Sequence, residues 1–352
     1  MSPTSLEDEK YMLRCIQLAR NGFGTTYPNP MVGCVIVHKK KIIGEGWHYI
    51  SGEPHAEVMA IRSVKDKELL KDATIYVSLE PCSYTGKTPP CSDLIIEHKI
   101  PRVVIGSSDP HPNVSGKGIE RLKNAGIEVL AGVCKSECDV LNKRFFTFHT
   151  KKRPYIILKW AATKDGFIAP LEQNEGEPFW ITSPISKQLV HLWRSQEASI
   201  MVGTNTAIKD NPRLDTREVA GNNPVRLTID KDLRIPSGHA LLKNDIPTVI
   251  FTFKAKKSLA NLHYEKLDPT ENIPKQMLSY CYNNNLQSII IEGGTSLLQS
   301  YIDLDLWDEA RVFTGKSMLE NGILQPILNA VYYRKEKSAE DTLCYYRNVK
   351  QE

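Results

Sequence analysis

Four residues in the first third of the chain have the types and spacing of a catalytic metal centre: His55, Glu57, Cys82 and Cys91. One imidazole and two thiolates are ligands that Zn²⁺ prefers, and three protein ligands leave the fourth tetrahedral position open to water. Zinc lowers the pKa of such a water, so a hydroxide-like nucleophile exists near neutral pH. We expect Glu57, two residues beyond His55, to take the proton of the water and deliver it to a leaving amine.

Simpler interpretations of the same residues exist. A lone His-x-Glu carries little information, and Cys82 and Cys91 could be buried thiols or part of a structural zinc site. The order of the parts favours catalysis, because Pro54 suits a helix start at His55. A structural zinc site would also have no use for Glu57. The complete pattern is typical of enzymes that hydrolyse an amino group from a nucleobase-like ring.

The composition limits the class of protein. The chain has 352 residues, which suits two domains, and its 41% hydrophobic and 24% charged residues are ordinary for a globular protein. The net charge of +4 is well mixed along the sequence and gives no case for a nucleic-acid protein. A nucleic-acid-editing deaminase, which uses the same zinc chemistry, would need a concentrated basic surface and stacking aromatics.

The sequence also indicates a compartment. The first residues are polar and acidic without an apolar signal-peptide core, and no apolar stretch is long enough to span a membrane. We therefore expect a cytoplasmic protein whose eight cysteines are core residues or metal ligands. Cys134 and Cys138 lack a well-placed histidine, and packing is the better interpretation of that pair.

The first half alternates between helical and β-like patterns, beginning with a helix that Ser5 and Asp8 cap and Gly22 ends. Further helices are predicted over 55–64, 92–98, 118–124 and 137–148, and strands over 31–37, 42–47, 74–79, 102–106 and 127–133. This order predicts a mixed sheet between helices. The charged segment 151–154 ends in proline, and we place a domain boundary there, with domains 1–150 and 151–352.

The second half again has an α/β pattern. Strands are predicted over 155–161, 199–203, 225–229, 248–253, 288–292 and 310–313, and helices over 184–194 and 273–282. No dinucleotide fingerprint follows a strand. The segment Glu292-Gly-Gly-Thr-Ser296 does lie between a strand and a helical stretch, where it is either a tight turn or a phosphate site.

Longer motifs extend over nearly the whole chain and fade after Thr314. They include Tyr27-Pro-Asn-Pro-Met-Val-Gly-Cys34, Gly52-Glu-Pro-His-Ala-Glu57, Pro81-Cys-Ser-Tyr-Thr-Gly-Lys-Thr-Pro-Pro-Cys91 and Asp109-Pro-His-Pro-Asn-Val-Ser-Gly-Lys-Gly118. Lys159 to Gly166, Trp180-Ile-Thr-Ser183, Asp210-Asn-Pro212 and Glu292-Gly-Gly294 follow in the second half. With these motifs the chain resembles the bifunctional deaminase/reductase of bacterial riboflavin biosynthesis, the RibD type.

The resemblance implies an α/β fold, with a cytidine-deaminase-like three-layer domain followed by a dihydrofolate-reductase-like domain. It implies zinc on His55, Cys82 and Cys91, and a pyrimidine ribosyl phosphate as substrate. Positions matching the family's substrate contacts in the first domain are His48, Lys87 and Asp109. Asn29, between Pro28 and Pro30, is either a turn residue or a reader of the ring, since its amide offers both a donor and an acceptor. Lys87 would hold the phosphate and His48 would orient the ring or ribose. The family also suggests a homo-oligomer, with neither nucleic acid nor membrane as partner.

For the second domain the resemblance implies NADPH as cofactor. Positions matching the family's cofactor contacts are Ala161, Trp180, Thr206, Asp210 and the segment from Gly294 to Ser300. Those matching substrate contacts are Arg194, Leu214, Arg217 and Glu292. Arg194 follows a helix with Leu189 and Leu192 on its predicted apolar face, and without the family it would be read as a surface cation. Lys159 and Glu292 are candidates for polarising the ribose and moving a proton.

The chain departs from the family pattern in several places. His111 stands where an asparagine is usual, so a substrate contact is replaced or moved to Asn113. Pro178 stands where serine is common, and the glycine-rich loop of the family reads Thr314-Gly-Lys-Ser-Met-Leu-Glu-Asn-Gly322. These departures leave one alternative open, an active deaminase joined to a reductase-like domain without catalysis.

Overall fold

The structure is a computed structural model that describes residues 5–84, 89–111, 115–174 and 176–351. The chain folds into two compact units, Met1–Lys151 and Lys152–Glu352. The chain passes from the first unit into the second within the basic segment 151–154.

The N-terminal unit has helices on both faces of a mixed sheet. The helices are α1 (Leu6–Ala19), α2 (Ala56–Ser63), α3 (Cys91–Glu97), α4 (Lys117–Asn124), α5 (Lys135–Leu141) and α6 (Lys143–Lys151). The strands are β1 (Gly33–His38), β2 (Lys41–Trp47), β3 (Thr74–Leu79), β4 (Arg102–Ser107) and β5 (Glu128–Ala131), in the spatial order β2-β1-β3-β4-β5. β1 is antiparallel to β2 and β3, whereas β3, β4 and β5 are parallel.

Alternation of side chains along the strands produces the three layers. Ile75 and Val77 of β3 point into a core that α2, α3 and α4 cover, whereas Tyr76 points into a second core beneath α1 and α5. Successive side chains of a strand face opposite sides of a sheet, so a strand that is apolar throughout needs helices on both. The predicted three-layer arrangement is therefore confirmed.

Helix α1 begins as the sequence predicts. The Ser5 side chain accepts a hydrogen bond from the Asp8 backbone N–H at 3.1 Å, which caps the helix. The buried Asp8 carboxylate also accepts hydrogen bonds of 2.9 Å from the Tyr76 hydroxyl and from Arg102 Nη1. One acidic side chain thus joins α1 to the neighbouring strands β3 and β4.

The predicted helix over 137–148 is wrong in one respect, because the structure divides it at Asn142 into α5 and α6. The Asn142 side chain accepts a hydrogen bond from Met31 N at 2.9 Å and donates one to Met31 O at 2.8 Å. This buried amide holds a segment far away in sequence. Local periodicity carries no sign of such a contact.

The C-terminal unit is built on a long sheet. Its helices are α7 (Pro184–Gln196), α8 (Thr204–Asp210), α9 (Ile273–Asn283) and α10 (Thr295–Asp303). Its strands are β6 (Tyr155–Ala162), β7 (Phe167–Ala169), β8 (Ser199–Gly203), β9 (Val225–Ile229), β10 (Thr248–Thr252), β11 (Leu262–Lys266), β12 (Ser288–Ile291), β13 (Glu309–Thr314), β14 (Ile323–Leu324), β15 (Tyr332–Ser338) and β16 (Asp341–Arg347). The main sheet has the order β11-β10-β9-β8-β12-β6-β13-β16-β15, and β7 pairs with β14 separately.

The strands from β11 to β13 are parallel, and the hairpin β15–β16 adds two antiparallel strands at one edge. This hairpin, β11 and α8 are elements that the sequence patterns did not predict. Within the described residues, no helix is long and apolar enough to cross a membrane.

The buried face of helix α7 differs from the apolar face that the sequence predicts. The helix runs to Gln196, so Arg194 lies inside it rather than after it. Val190 and Trp193 are buried, whereas Leu192 is 39% exposed. Leu189 packs against the core as predicted, so the prediction is wrong for Leu192 alone, and the helix also buries the polar residues Ser186 and His191.

We expect the substitution Asp8→Asn to lower the free energy of unfolding of the N-terminal unit by about 2–3 kcal/mol at pH 7, because Arg102 loses its buried charged partner and keeps the exposed Glu128. Burial acts to raise the pKa of Asp8, but bonds from Arg102, Ser5 and Tyr76 outweigh burial and hold the pKa below its usual value. The stabilisation is therefore present above the unfolded pKa of about 3.9 and lost as the pH falls through the lower folded value.

Urea unfolding followed by circular dichroism at pH 7 and pH 3 measures this effect. The difference between wild type and Asp8→Asn should shrink at the lower pH, while exposed Glu9→Gln should match wild type at both. A difference that stayed constant with pH would mean that the charge of Asp8 does not stabilise the fold.

Candidate active sites

Three predicted zinc ligands meet in the N-terminal unit. His55 precedes the first residue of α2, Cys82 follows β3, and Cys91 opens α3. His55 Nδ1 lies 3.7 Å from Cys82 Sγ and 3.3 Å from Cys91 Sγ, and the three candidate ligand atoms lie within 4.8 Å of one another. Ligands of a tetrahedral zinc are about 3.3–3.8 Å apart at normal bond lengths. The donor set therefore fits Zn²⁺ in type and in spacing.

The two thiols are held by the first turn of α3. Cys91 N donates to Cys82 Sγ at 3.3 Å, and Ser92 N donates to Cys82 O at 3.1 Å. Hydrogen bonding by Cys91, with His55 adding to it, lowers the pKa of the Cys82 thiol against the effect of burial. The lowered pKa favours the thiolate, which is the form that binds a metal.

Glu57 is the second residue of α2 and is 3% exposed. Burial raises the pKa of its carboxyl group to about 6, although His55 acts in the opposite direction. A carboxyl group with a pKa close to the working pH can both accept and donate a proton. Glu57 thus has the chemistry expected of a proton shuttle beside the three ligands.

Asn29 and His48 form a hydrogen-bonded pair beside this centre. Asn29 Nδ2 lies 3.0 Å from His48 Nε2, and His48 Nδ1 lies 3.2 Å from the carbonyl oxygen of Pro54. Burial lowers the pKa of His48, so the ring is neutral at pH 7, and this network assigns its proton to Nδ1. Both ring nitrogens of His48 therefore form hydrogen bonds within the protein. The His48 and His55 rings meet edge to face, with their centroids 5.4 Å apart.

Asp109 lies in the loop after β4 and is buried. Its Oδ1 accepts a hydrogen bond from His111 N at 2.7 Å, and burial raises its pKa to about 6, aided by the negative charges of Glu80 and Cys82. The His111 ring stacks against Tyr84 at 6.5 Å. Lys87 and Asn113, two further predicted contacts, lie outside the described residues.

Sequence reasoning missed two buried polar residues that support this site. Asn142 holds Met31, two residues beyond Asn29, as described above. Glu80 accepts hydrogen bonds from the loop that carries Asp109. Neither residue belongs to a spacing pattern, and the one available signal was the place of Glu80 directly before Pro81-Cys82.

In the C-terminal unit, Lys159, Arg194 and Glu292 converge from β6, α7 and the end of β12. Arg194 Nη2 lies 2.9 Å from Glu292 Oε2, and Nε lies 3.4 Å from Oε1. Burial would raise the pKa of Glu292, but Arg194 and Lys159 outweigh it and bring the pKa to about 2. Burial lowers the pKa of Lys159 below its usual value. Glu292 is therefore ionised at any physiological pH, and Lys159 loses its proton more readily than a free lysine.

Arg217 and Leu214 lie in the segment after α8. Arg217 pairs with the buried carboxylate of Asp215, whose carbonyl oxygen lies 3.4 Å from Arg194 Nη1. Asp215, missed from sequence, thus links the two arginines. Leu214 is 1% exposed and belongs to the apolar core. Leu214 could therefore contact a ligand only through its backbone.

Only some of the predicted cofactor positions lie close together. Gly294 precedes the first residue of α10, and a Cβ placed on it would lie 3.4 Å from Thr206 Oγ1 in α8. Gly203 N donates to Gly293 O at 2.8 Å, so the loops after β8 and β12 are adjacent. Asp210 ends α8 and accepts a hydrogen bond from Gln173, and Ala161 lies near the end of β6. Trp180 is 58% exposed, with Lys187 Nζ 4.7 Å from its ring.

The carboxyl ends of parallel strands are where open α/β sheets bind ligands. Gly294 and the N-terminus of α10 at this edge offer backbone N–H groups to a phosphate, while Arg194 and Lys159 offer cations. The N-terminal unit therefore carries a zinc-type donor set with a buried carboxyl group beside it, and the C-terminal unit carries cations and a glycine-containing helix start at one edge of its sheet.

Comparison with known proteins agrees with this division. The family model of the cytidine and deoxycytidylate deaminase zinc-binding region matches residues 5–107, and that of the RibD C-terminal domain matches 154–319. The riboflavin biosynthesis protein RibD of Aquifex aeolicus is 38% identical over 97% of this chain and 98% of its own length. RibD of Escherichia coli is 36% identical, with 89% of each chain covered.

Solved structures give the same result. A diaminohydroxyphosphoribosylaminopyrimidine deaminase/5-amino-6-(5-phosphoribosylamino)uracil reductase from Thermotoga maritima has a TM-score of 0.88 at 36% identity, covering 97% of this chain and 98% of its own. RibD from Acinetobacter baumannii has a TM-score of 0.85 at 31% identity, with the same shares covered.

The chain belongs to the RibD family. It is a bifunctional enzyme of riboflavin biosynthesis, with a zinc-dependent deaminase domain and an NADPH-dependent reductase domain. Because the relatives match through both domains, the comparisons favour a working reductase over the alternative of a domain without catalysis.

We expect the purified protein to hold about one zinc ion per chain, as a three-ligand centre of this type does, and Cys91→Ser to hold almost none. Cys134→Ser is the matched control, because Cys134 lies outside the cluster of His55, Cys82 and Cys91. Elemental analysis by plasma emission measures both. Loss of zinc from the Cys134 variant would contradict the assignment of the ligands.

Proposed function

We propose that the N-terminal unit replaces the 2-amino group of 2,5-diamino-6-(5-phosphoribosylamino)pyrimidin-4-one with oxygen, and that the C-terminal unit reduces the ribosyl group of the product to ribityl. The observation that carries the first half is the cluster of His55, Cys82 and Cys91 with the buried Glu57 beside it. The description of the Thermotoga relative names this substrate class for both reactions.

Glu57 is the proton carrier of the deaminase. His55, Cys82 and Cys91 would hold the zinc ion, which would supply the Lewis acid that makes water nucleophilic near neutral pH. Glu57 takes the proton that the water gives up and delivers it to the departing amine, so that ammonia leaves. Burial raises the pKa of Glu57, and a carboxyl group that both accepts and donates a proton needs a pKa near the working pH.

Recognition of the ring falls to Asn29 and Asp109. The amide of Asn29 offers a donor and an acceptor, and His48 holds it in place through the 3.0 Å contact. His48 is thus a residue that orients Asn29 rather than one that reads the ribose directly. Lys87 remains our candidate for the phosphate, on the strength of the family motif alone.

In the reductase, Lys159 is a better proton donor than Glu292. The carboxylate of Glu292, with its pKa of about 2, keeps its charge and orients Arg194 and Lys159. Lys159 gives a proton to the sugar oxygen as the ribosyl carbon is reduced. Arg194 and Arg217 bind the substrate phosphate, since guanidinium groups match phosphate oxygens in pairs.

NADPH would supply the hydride, and the residues that would hold it lie around the carboxyl ends of β6, β8 and β12. Gly294 lets a phosphate approach the N-terminus of α10. Ala161, Thr206 and Asp210 border the same edge of the sheet, and Trp180 offers an exposed aromatic face. We place the enzyme in the cytoplasm, where NADPH and reduced cysteines are available.

A reciprocal pair of variants tests the division of labour. We expect Glu57→Gln to reduce deamination by at least about 10²-fold through loss of proton transfer while it leaves zinc content and NADPH-dependent reduction intact. Lys159→Ala should abolish reduction and leave deamination intact. Mass spectrometry of products from the diaminopyrimidine ribosyl phosphate, with and without NADPH, reads out both steps.

In each variant the other reaction shows that the unmutated unit is intact, and zinc content shows the same for the mutated unit of Glu57→Gln. Supplying the deaminated pyrimidine directly tests the reduction step when deamination is lost. Unchanged reduction by Lys159→Ala would remove Lys159 from the mechanism, and undiminished deamination by Glu57→Gln would do the same for Glu57.

We also propose that the protein forms a homo-oligomer through the edge of the main sheet at β15. The edge strand β15 is preceded directly by Val331, which is 86% exposed, and the segment before it carries Leu324 and Ile327, which are 63% and 70% exposed. Light scattering after size exclusion should show more than one chain per particle. Ile327→Asp should shift the protein toward the monomer, and Leu259→Asp, on a distant exposed site, should not. A wild-type monomer would refute the proposal.

A further inference from the structure

Glu80 is a buried acidic residue that neither reaction uses. It lies directly after β3, two residues before the ligand Cys82, and is 4% exposed. Its two carboxylate oxygens accept four backbone hydrogen bonds, and all four donors belong to one segment that follows β4. The donors are Asp109 N (3.3 Å), Gly116 N (3.1 Å), Gly118 N (3.0 Å) and Ile119 N (3.2 Å).

These donors lie at the two ends of the same segment. Asp109 begins it, and Gly116, Gly118 and Ile119 form the first turn of α4. Gly116 precedes the helix with a φ of 77° and has no side chain to cap it. Glu80 satisfies the free N–H groups of this turn, where a negative charge is also favoured by the helix dipole. The Glu80 carboxylate therefore bonds to both Asp109 and the first turn of α4.

The backbones on either side of Glu80 are in close contact as well. Glu80 N donates to Ser107 O at 2.9 Å, which extends the pairing of β3 with β4. A Cβ placed on Gly118 would lie 2.1 Å from the carbonyl oxygen of Pro81, so residue 118 has no room for a side chain. The segment from Asp109 to Gly118 is thus fastened to the same short stretch of chain that carries Cys82.

We infer that Glu80 is a positioning residue of the deaminase, which sets the place of Asp109 and its loop relative to the zinc ligand Cys82. The inference rests on the proposed role of Asp109 in substrate binding. Glu80 has no direct part in the chemistry. Its removal should therefore weaken substrate binding more than it slows the chemical step.

The variant Glu80→Gln tests this with the full-length, zinc-loaded enzyme. An amide keeps the size of the side chain but has a single acceptor oxygen, and its NH₂ group would face N–H donors. We expect KM for the diaminopyrimidine ribosyl phosphate to rise by about 10-fold or more, as the loss of one or two hydrogen bonds implies. The turnover number should stay within about 3-fold, with zinc content and the reductase rate unchanged.

Glu120→Gln is the matched control, because Glu120 is an exposed glutamate on the same helix. Hydrogen exchange measured by mass spectrometry gives a second readout that needs no substrate. Amides of residues 115–119 should exchange faster in Glu80→Gln and at the wild-type rate in Glu120→Gln. If wild-type enzyme failed to deaminate this compound, the proposed substrate would be wrong, and exchange would still decide whether Glu80 holds the loop.

A double-mutant cycle separates positioning from general stability. If Glu80 acts through Asp109, the effects of Glu80→Gln and Asp109→Asn on KM should be far from multiplicative. Independent effects, an unchanged KM, or loss of zinc together with all deaminase activity would overturn the inference. If Glu80→Gln does not fold, Glu80→Asp takes its place. That variant keeps the charge with a shorter reach, and a wild-type KM there would overturn the inference too.

Discussion

The parallel pairing of β3 with β4 is the constraint on which the deaminase site depends. It brings the loops that carry Cys82 and Asp109 out at the same edge of the sheet. Without it, residues separated by 27 positions would have no reason to share a pocket. α2 and α3 then add His55, Glu57 and Cys91 from segments whose apolar faces are buried against the same sheet. The metal centre is thus assembled from three separate pieces of chain.

In the reductase unit, parallel strands likewise bring side chains from separate segments to one edge of the sheet, and these side chains are charged groups instead of metal ligands. Loops after β8 and β12 meet at one edge, and Lys159 reaches it from β6. Two cations and one carboxylate with little access to water stabilise one another there, because a buried charge is tolerated when it is paired. The net charge of this cluster stays positive. That excess suits a phosphorylated substrate and a phosphorylated cofactor equally well.

The sequence predicted the elements that carry a regular pattern and the residues that belong to compact motifs. The strand Val225–Ile229 and the helix cap at Ser5 are examples, since each depends on neighbours in the chain. The roles of Asn142 and Glu80 could not be predicted from the sequence. The partner of Asn142 lies 111 positions away, and those of Glu80 lie 29 to 39 positions away. The hairpin β15–β16 was missed for another reason. Its first strand is exposed and rich in charged residues, so no apolar alternation reveals it.

The spacer between Cys82 and Cys91 has a consequence for how such enzymes change over time. Cys91 N and Ser92 N bond back to Cys82, so the two ends of the spacer are fastened to each other. The cost of closing a loop rises only slowly with its length. Residues can therefore be gained or lost between Ser83 and Pro90 while the thiolates keep their separation. The long spacer here and the two-residue spacer typical of zinc deaminases are then compatible with one metal geometry.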